Sequence, residues 1–187
     1  EMRISDWSSD VCSSDLSKRF NRFRDIWWFY YALSWEEILL RKPSLKLSFS
    51  DMVGDFPYHT AIYTNTADIF ELEHLLQALP DVAFHVLAHS HFGFNLVKLE
   101  QYPNLILYPS FDPLTSRKVL EKIDFYLDIN PFDEVDHITE TIHQLGLPIF
   151  SFEGTNHDQT GQNQVFKNDQ VDQMVKAVRD YIDTIER

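Results

Sequence analysis

From Thr60 onward the apolar positions follow two periods in turn. Ala61-Ile62-Tyr63, Val82 to Leu87, Leu105 to Tyr108, Phe125 to Ile129 and Leu147 to Phe152 are short apolar runs rich in β-branched and aromatic residues, which is the pattern of strands. Between and after them apolar residues recur at helical spacing: Ile69, Leu72, Leu75, Leu76 and Leu79; Leu114, Val119 and Leu120; Val135, Ile138, Ile142 and Leu145; Val171, Met174, Val175, Val178, Ile182 and Ile185. The punctuation agrees with this alternation. Asp68 with Glu71 predicts a capping box and Pro80 a stop. Asp112 and Pro113 suit an N-cap and first turn, and Asn168 or Asp169 is placed to cap the last helix. The acidic segment from Asp133 to Leu145 reads as helical, and His89 to Leu99 as a loop with a short helix. Five strands alternating with helices predict an α/β domain over residues 58–187, a Rossmann-like doubly wound parallel sheet.

In such a sheet ligands sit outside the carboxyl ends of the strands. Asn130 to Glu134 and Glu153 to His157 then become neighbours, and the ligand-binding candidates are Asn130, Asp133, Glu134, Glu153, Thr155, Asn156 and His157. They belong to an acidic cluster with Asp128, Asp136 and Glu140. As chemistry it fits an acid/base pair, a ribose-binding carboxylate or a magnesium site. As structure, Asp133 and Glu134 favour a helix amino end through its dipole, and Asp136 and Glu140 form a solvated face. No catalytic residue and no metal ligand is assigned. His89 and His91 lack a third ligand for zinc and read as loop histidines.

Charge narrows the ligand. The 187 residues carry a formal charge of −13, which argues against nucleic acid. Thr64-Asn65-Thr66-Ala67 stands where a dinucleotide-binding glycine loop would follow the first strand, and no Lys or Arg lies between Lys46 and Lys98. A diphosphate there would lack its cationic partners, so no cofactor is expected. The amino-terminal part has a different character. Asp6 to Leu16, which holds the single cysteine, Cys12, is similar to a translated sequencing adapter, and residues 1–16 are set aside as an artefact on that expectation. Residues 17–57 are expected to be the remnant of a preceding domain with a linker. They mix basic residues with Phe20, Phe23 and Trp27 to Tyr31, then place Ser34 and Glu37 as a capping box before Pro43. No apolar run reaches the length of a membrane helix, and a cytoplasmic protein is expected, with room for peripheral association at the inner membrane face.

Three stretches carry a resemblance. Tyr102-Pro103-Asn104-Leu105-Ile106-Leu107-Tyr108-Pro109, then Asp124 to Asn130 with Glu134-Val135, then Ile149 to Glu153 with Thr155 and His157, resemble the carboxyl-terminal domain of the glycosylation-chaperone subunit of the bacterial accessory Sec system. Leu75 to Phe84 and Ser34 to Ile38 are similar too, and Pro131-Phe132-Asp133 and Gly154 depart from the pattern. The resemblance implies the carboxyl-terminal half of a GT-B glycosyltransferase fold. It implies a non-catalytic subunit that stabilises an active glycosyltransferase partner and holds a serine-rich repeat acceptor, while the partner transfers N-acetylglucosamine from its UDP-sugar. Active retaining enzymes of that fold carry two glutamates separated by seven residues. Aligned on Gly146-Leu147-Pro148, those places fall on Asp133 and Thr141, and a threonine cannot supply an anionic acceptor. The alternative is an active retaining enzyme using Glu134 and Glu153 for its donor.

Overall fold

A computed structural model of the protein describes residues 55–66 and 68–185. The aromatic stretch Trp27 to Tyr31, the capping box at Ser34 and the segment through residue 16 lie outside the described residues. Within them the order is β1 (Tyr58–Tyr63), α1 (Leu72–Ala78), β2 (Val82–Ala88), α2 (Phe94–Val97), a 3-10 turn (Lys98–Gln101), β3 (Leu105–Pro109), α3 (Pro113–Leu120), β4 (Phe125–Asp128), α4 (Ile138–Leu145), β5 (Ile149–Phe152), β6 (Gln164–Phe166) and α5 (Val171–Ile182). All pairings are parallel, in the sheet order β3-β2-β1-β4-β5-β6. The chain therefore reverses its winding between β1 and β4. Right-handed crossovers put α1 and α2 on one face of the sheet and α3 and α4 on the other.

Alternation along the strands gives the two faces different chemistry. Ile62, Phe84, Val86, Phe125, Leu127, Phe150 and Phe152 belong to one apolar cluster with Leu72, Leu75 and Leu76 of α1 and Met174, Val178 and Ile182 of α5. Burying each of these side chains is worth roughly 1.5–3 kcal/mol. The opposite face carries His59, Tyr63, His85, Tyr108 and Tyr126, all buried. Tyr63 reaches Ser116 of α3, with the two hydroxyls 2.7 Å apart. His59 Nδ1 lies 3.1 Å from His85 Nε2, and His85 Nδ1 lies 2.9 Å from the Tyr108 hydroxyl. Burial pushes His85 down to about 3, reinforced by the charges of His59 and Lys122. Its folded value is depressed, so the unfolded chain takes up a proton first as the pH falls. Stability is expected to drop from about pH 6.5 downward, until the folded state protonates as well. Acid titration of the unfolding midpoint measures this, and His85→Phe should flatten the acid limb.

Several helix ends differ from the sequence expectation. Asp68 does not cap α1. It accepts from Asn95 Nδ2 at 3.1 Å, and the N-cap is Glu71 in a left-handed conformation with no side-chain cap. The far end of α1 is closed by Asn104, whose amide donates to the carbonyls of Leu76 and Leu79 at 3.1 Å each. Asp112 caps α3 as predicted, accepting from the Thr115 amide at 2.8 Å, with Pro113 in the first turn. The acidic segment starts its helix later than Asp133. Asp136 and His137 have φ of 53° and 51°, so the right-handed helix begins only at Ile138. It stops at Gly146, whose φ of 72° suits a residue without a Cβ. The last helix is preceded by Gln170 without a side-chain cap, since Asn168 instead accepts from the Gly154 amide at 3.0 Å. β6 was not expected.

Candidate functional site

Because every strand is parallel, the loops at the carboxyl ends form one edge: residues 64–71, 89–93, 110–112, 129–137 and 153–163. These five loops contain no Lys or Arg. Their carboxylates are Asp68, Glu71, Asp112, Asp133, Glu134, Asp136, Glu153 and Asp158. The loops after β1 and β4, where the winding reverses, are tied to each other by Thr64 Oγ1 donating to Asn130 Oδ1 at 3.2 Å and the Phe70 amide donating to the Ile129 carbonyl at 3.1 Å.

The structure brings both predicted segments to this edge and shows what most of their side chains hold. His157 Nδ1 donates to Asp128 Oδ1 at 2.7 Å and its backbone amide to Oδ2 at 2.8 Å. Its Nε2 points at the Phe132 carbonyl at 2.5 Å. Both ring nitrogens meet oxygens that only accept, so the ring is an imidazolium paired with a carboxylate that is 2% exposed. The Asp128 hydrogen bond raises the His157 pKa against the opposing effect of its burial. Asn130, 2% exposed, donates from Nδ2 to the Asp133 carbonyl at 2.9 Å and to that of Phe132 at 3.4 Å. Thr155 donates to the Asp128 carbonyl at 2.7 Å. Asn156 Oδ1 accepts from Ser151 at 3.1 Å and from Asn163 at 2.9 Å. Asp158 organises the rest of that loop: burial works upward on its carboxyl, but hydrogen bonds from Thr160, Asn163 and Gln162 outweigh it and hold the pKa at about 2.

Glu134 sits at the amino end of α4, its Oε1 accepting from the Thr139 amide at 2.8 Å. A carboxylate thus occupies a donor that an anionic ligand at this helix end would need. Asp133 and Glu153 are exposed, with no side-chain partner among the described residues. No group of three or more His, Cys, Asp or Glu among the described residues could hold a metal ion.

Sequence reasoning missed a second feature of this edge. A cleft of about 450 Å³ opens between α3 and α4, lined by His89, Phe111, Pro113, Ser116, Arg117, Leu120, Glu121, Asp136, Thr141 and Leu145. His89 stacks on Phe111 with ring centroids 4.5 Å apart and bonds Asp136 at 2.7 Å. Leu145, which periodicity assigned to a buried face, is 52% exposed here, and Leu114 of α3 is 61% exposed. The sequence signals the cleft only weakly: Leu114 and Leu120 of α3 fall away from the buried Val119, while the apolar residues of α4 read as one ordinary stripe.

Comparisons with known proteins agree on one lineage. A sequence profile described as the GftB/GlyA-F C-terminal domain matches residues 60–187. Glycosyltransferase GlyB of Streptococcus pneumoniae serotype 4 is 44% identical over 162 residues, covering 87% of this chain and 40% of that protein. The UDP-N-acetylglucosamine–peptide N-acetylglucosaminyltransferase stabilizing protein GtfB of Limosilactobacillus reuteri subsp. suis is 31% identical over 120 residues, covering 63% of this chain and 27% of that protein. The crystal structure of the glycosyltransferase GlyE of Streptococcus pneumoniae TIGR4 superposes with a TM-score of 0.63 at 25% identity, over 87% of this chain and 43% of that one. The chain thus spans less than half the length of each of these relatives.

Proposed function

The chain belongs to the GftB/GlyA-F C-terminal domain family, and from that premise we propose that it serves as the GT-B-type carboxyl-terminal domain of a non-catalytic subunit. This subunit stabilises an active glycosyltransferase partner and holds the Ser/Thr-rich polypeptide on which the partner acts. A relative named as a stabilizing protein of a peptide N-acetylglucosaminyltransferase supports the partner and a peptide acceptor.

The observation that carries the reading is the amino end of α4. In a parallel sheet that is where a nucleotide's phosphates would sit, on free amides and beside cations. Here the Glu134 carboxylate is already on the Thr139 amide at 2.8 Å, and the loops around it hold no Lys or Arg. Placing a diphosphate beside a fixed carboxylate without a counter-cation is unfavourable. Thr141 lines the neighbouring cleft with an uncharged hydroxyl where an active retaining enzyme of this fold would carry a glutamate. The same edge suits a neutral acceptor, because carboxylates accept hydrogen bonds from Ser and Thr hydroxyls.

Co-expression tests the stabilising role. The partner glycosyltransferase should be recovered soluble and active with this protein and largely insoluble without it. An equal yield in both cultures would count against the role.

A second reading has its own support, since a 44%-identical relative is named a glycosyltransferase. In that reading Glu134 and Glu153 serve the donor. The two readings part at donor binding, which the enzyme requires and the stabilising subunit does not.

A further inference from the structure

The loop after β4 is held at its tip by a single proton. Residues 131–134 run between Asn130 and Val135, which are each 2% exposed, while Pro131, Phe132 and Asp133 lie in solvent. Few bonds tie this stretch down. Asn130 Nδ2 donates to the Asp133 carbonyl at 2.9 Å, Glu134 Oε1 accepts from the Thr139 amide, and His157 Nε2 donates to the Phe132 carbonyl. The second Asn130 bond, to the Phe132 carbonyl, is long at 3.4 Å. The imidazolium is therefore the main tie at Phe132.

That tie exists in only one protonation state. A neutral imidazole has one proton for its two nitrogens, and both nitrogens of His157 face oxygens that only accept. The Asp128 carboxylate is 2% exposed, so taking the ring proton away from it costs more than taking it from a carbonyl at the surface. The remaining proton stays on Nδ1. Nε2 then turns a lone pair toward the Phe132 carbonyl, and attraction becomes repulsion. The histidine cannot retreat, because its backbone amide is fixed to Asp128 Oδ2 at 2.8 Å. Phe132 can: it is 61% exposed, and moving it uncovers no core.

We propose that His157 is a proton-operated latch on the loop after β4, closed while its ring is charged and releasing residues 131–134 when the ring is neutral. The neighbouring charges set where it works. Asp128 at the end of β4 and Glu134 in the loop that follows both favour the charged ring, against the effect of its burial. In the loop of His157 itself, Asp158 is already bonded to the amides of Thr160, Gln162 and Asn163. No Lys or Arg lies in any loop of this edge. The latch thus opens as the pH rises, above the ordinary histidine value of about 6.5. It is independent of which ligand the edge holds.

Heteronuclear NMR of the full chain follows both partners in one sample: the ring carbons of His157, and the amide-nitrogen order parameters of Phe132, Asp133 and Glu134, from about pH 5.5 to about pH 9. The order parameters should fall from about 0.85 to below about 0.6, with the same midpoint at which the ring loses its proton. Glu134→Gln keeps an acceptor for the Thr139 amide but removes one acidic neighbour of the ring, so both midpoints should move down together. In His157→Gln the order of the loop should not change with pH. The latch is overturned by a ring that titrates while the loop stays ordered, or by a ring that titrates at or below its ordinary value. A loop that loosens equally in His157→Gln, or midpoints that separate in Glu134→Gln, overturns it too. If His157→Gln does not fold, the coincidence of the two midpoints and their joint shift in Glu134→Gln decide.

Discussion

Replacing Asp128 with alanine is expected to lower the unfolding free energy by about 3–5 kcal/mol, the usual cost of leaving a buried charge without its partner. Asp128 is 2% exposed and receives both the Nδ1 proton and the backbone amide of His157. Without it the imidazolium keeps only the Phe132 carbonyl, and the loops after β4 and β5 lose their main tie. Thermal denaturation should show a midpoint lower by roughly 10–20 °C. A loss below about 1 kcal/mol would mean that the pair is solvated and structurally idle.

The effect has a pH signature of known sign. The folded-state pKa of His157 is raised, chiefly by the Asp128 hydrogen bond. The folded state therefore holds this proton more tightly than the unfolded chain. Its stabilisation is complete below the ordinary histidine value of about 6.5 and is lost as the pH climbs through the raised value. The gap between the unsubstituted protein and Asp128→Ala should be widest in mild acid and shrink above that window. A gap that widened with rising pH would contradict a charged His157.

The second large effect is expected at Asn130. Its side chain joins three places at once: the Thr64 hydroxyl after β1 and the carbonyls of Phe132 and Asp133 after β4. Asn130→Ala removes these three hydrogen bonds from a side chain only 2% exposed and takes from the Asp133 carbonyl its Asn130 donor, at an expected cost of about 2–3 kcal/mol in denaturant unfolding. Acceptor binding should fall along with stability, because the Phe132 loop loosens. A variant that bound normally and unfolded normally would remove Asn130 from both roles.

These two residues mark how far the sequence could be followed. The parallel, doubly wound sheet was legible because apolar runs alternate with helical stripes, whereas the strand order that puts the reversal between β1 and β4 is read from the structure. The loops at the carboxyl ends were legible for the same reason. What those loops do to each other was not, since Asp128 meets His157 across 29 positions and Asn130 meets Thr64 across 66. Local pattern carries no trace of such pairs. Local pattern also misplaced the start of α4: Asp133 to Asp136 have the acids of a helix amino end, but Asp136 and His137 turn left-handed while Glu134 reaches forward to Thr139.

β6 escaped notice because Gln164-Val165-Phe166 is three residues long, with a polar first residue and an exposed second. The cleft escaped because it exists only between two helices. Leu145 looks like core in a periodicity plot and borders open space in the fold. Of the seven predicted binding residues, Asn130, Thr155, Asn156 and His157 hold the edge together, Glu134 fills a helix end, and Asp133 and Glu153 remain free for a ligand.

Titrating the intact protein, without any companion subunit, with UDP-N-acetylglucosamine in a calorimeter tests the central claim most directly, with an assay for sugar release on the same samples. Loops without Lys or Arg, whose one imidazolium is already paired with Asp128 and whose helix end is already capped, predict no binding heat at donor concentrations up to about 1 mM, weaker than about −4 kcal/mol, and no release. Micromolar binding, near −8 kcal/mol, or turnover by the protein alone would contradict it.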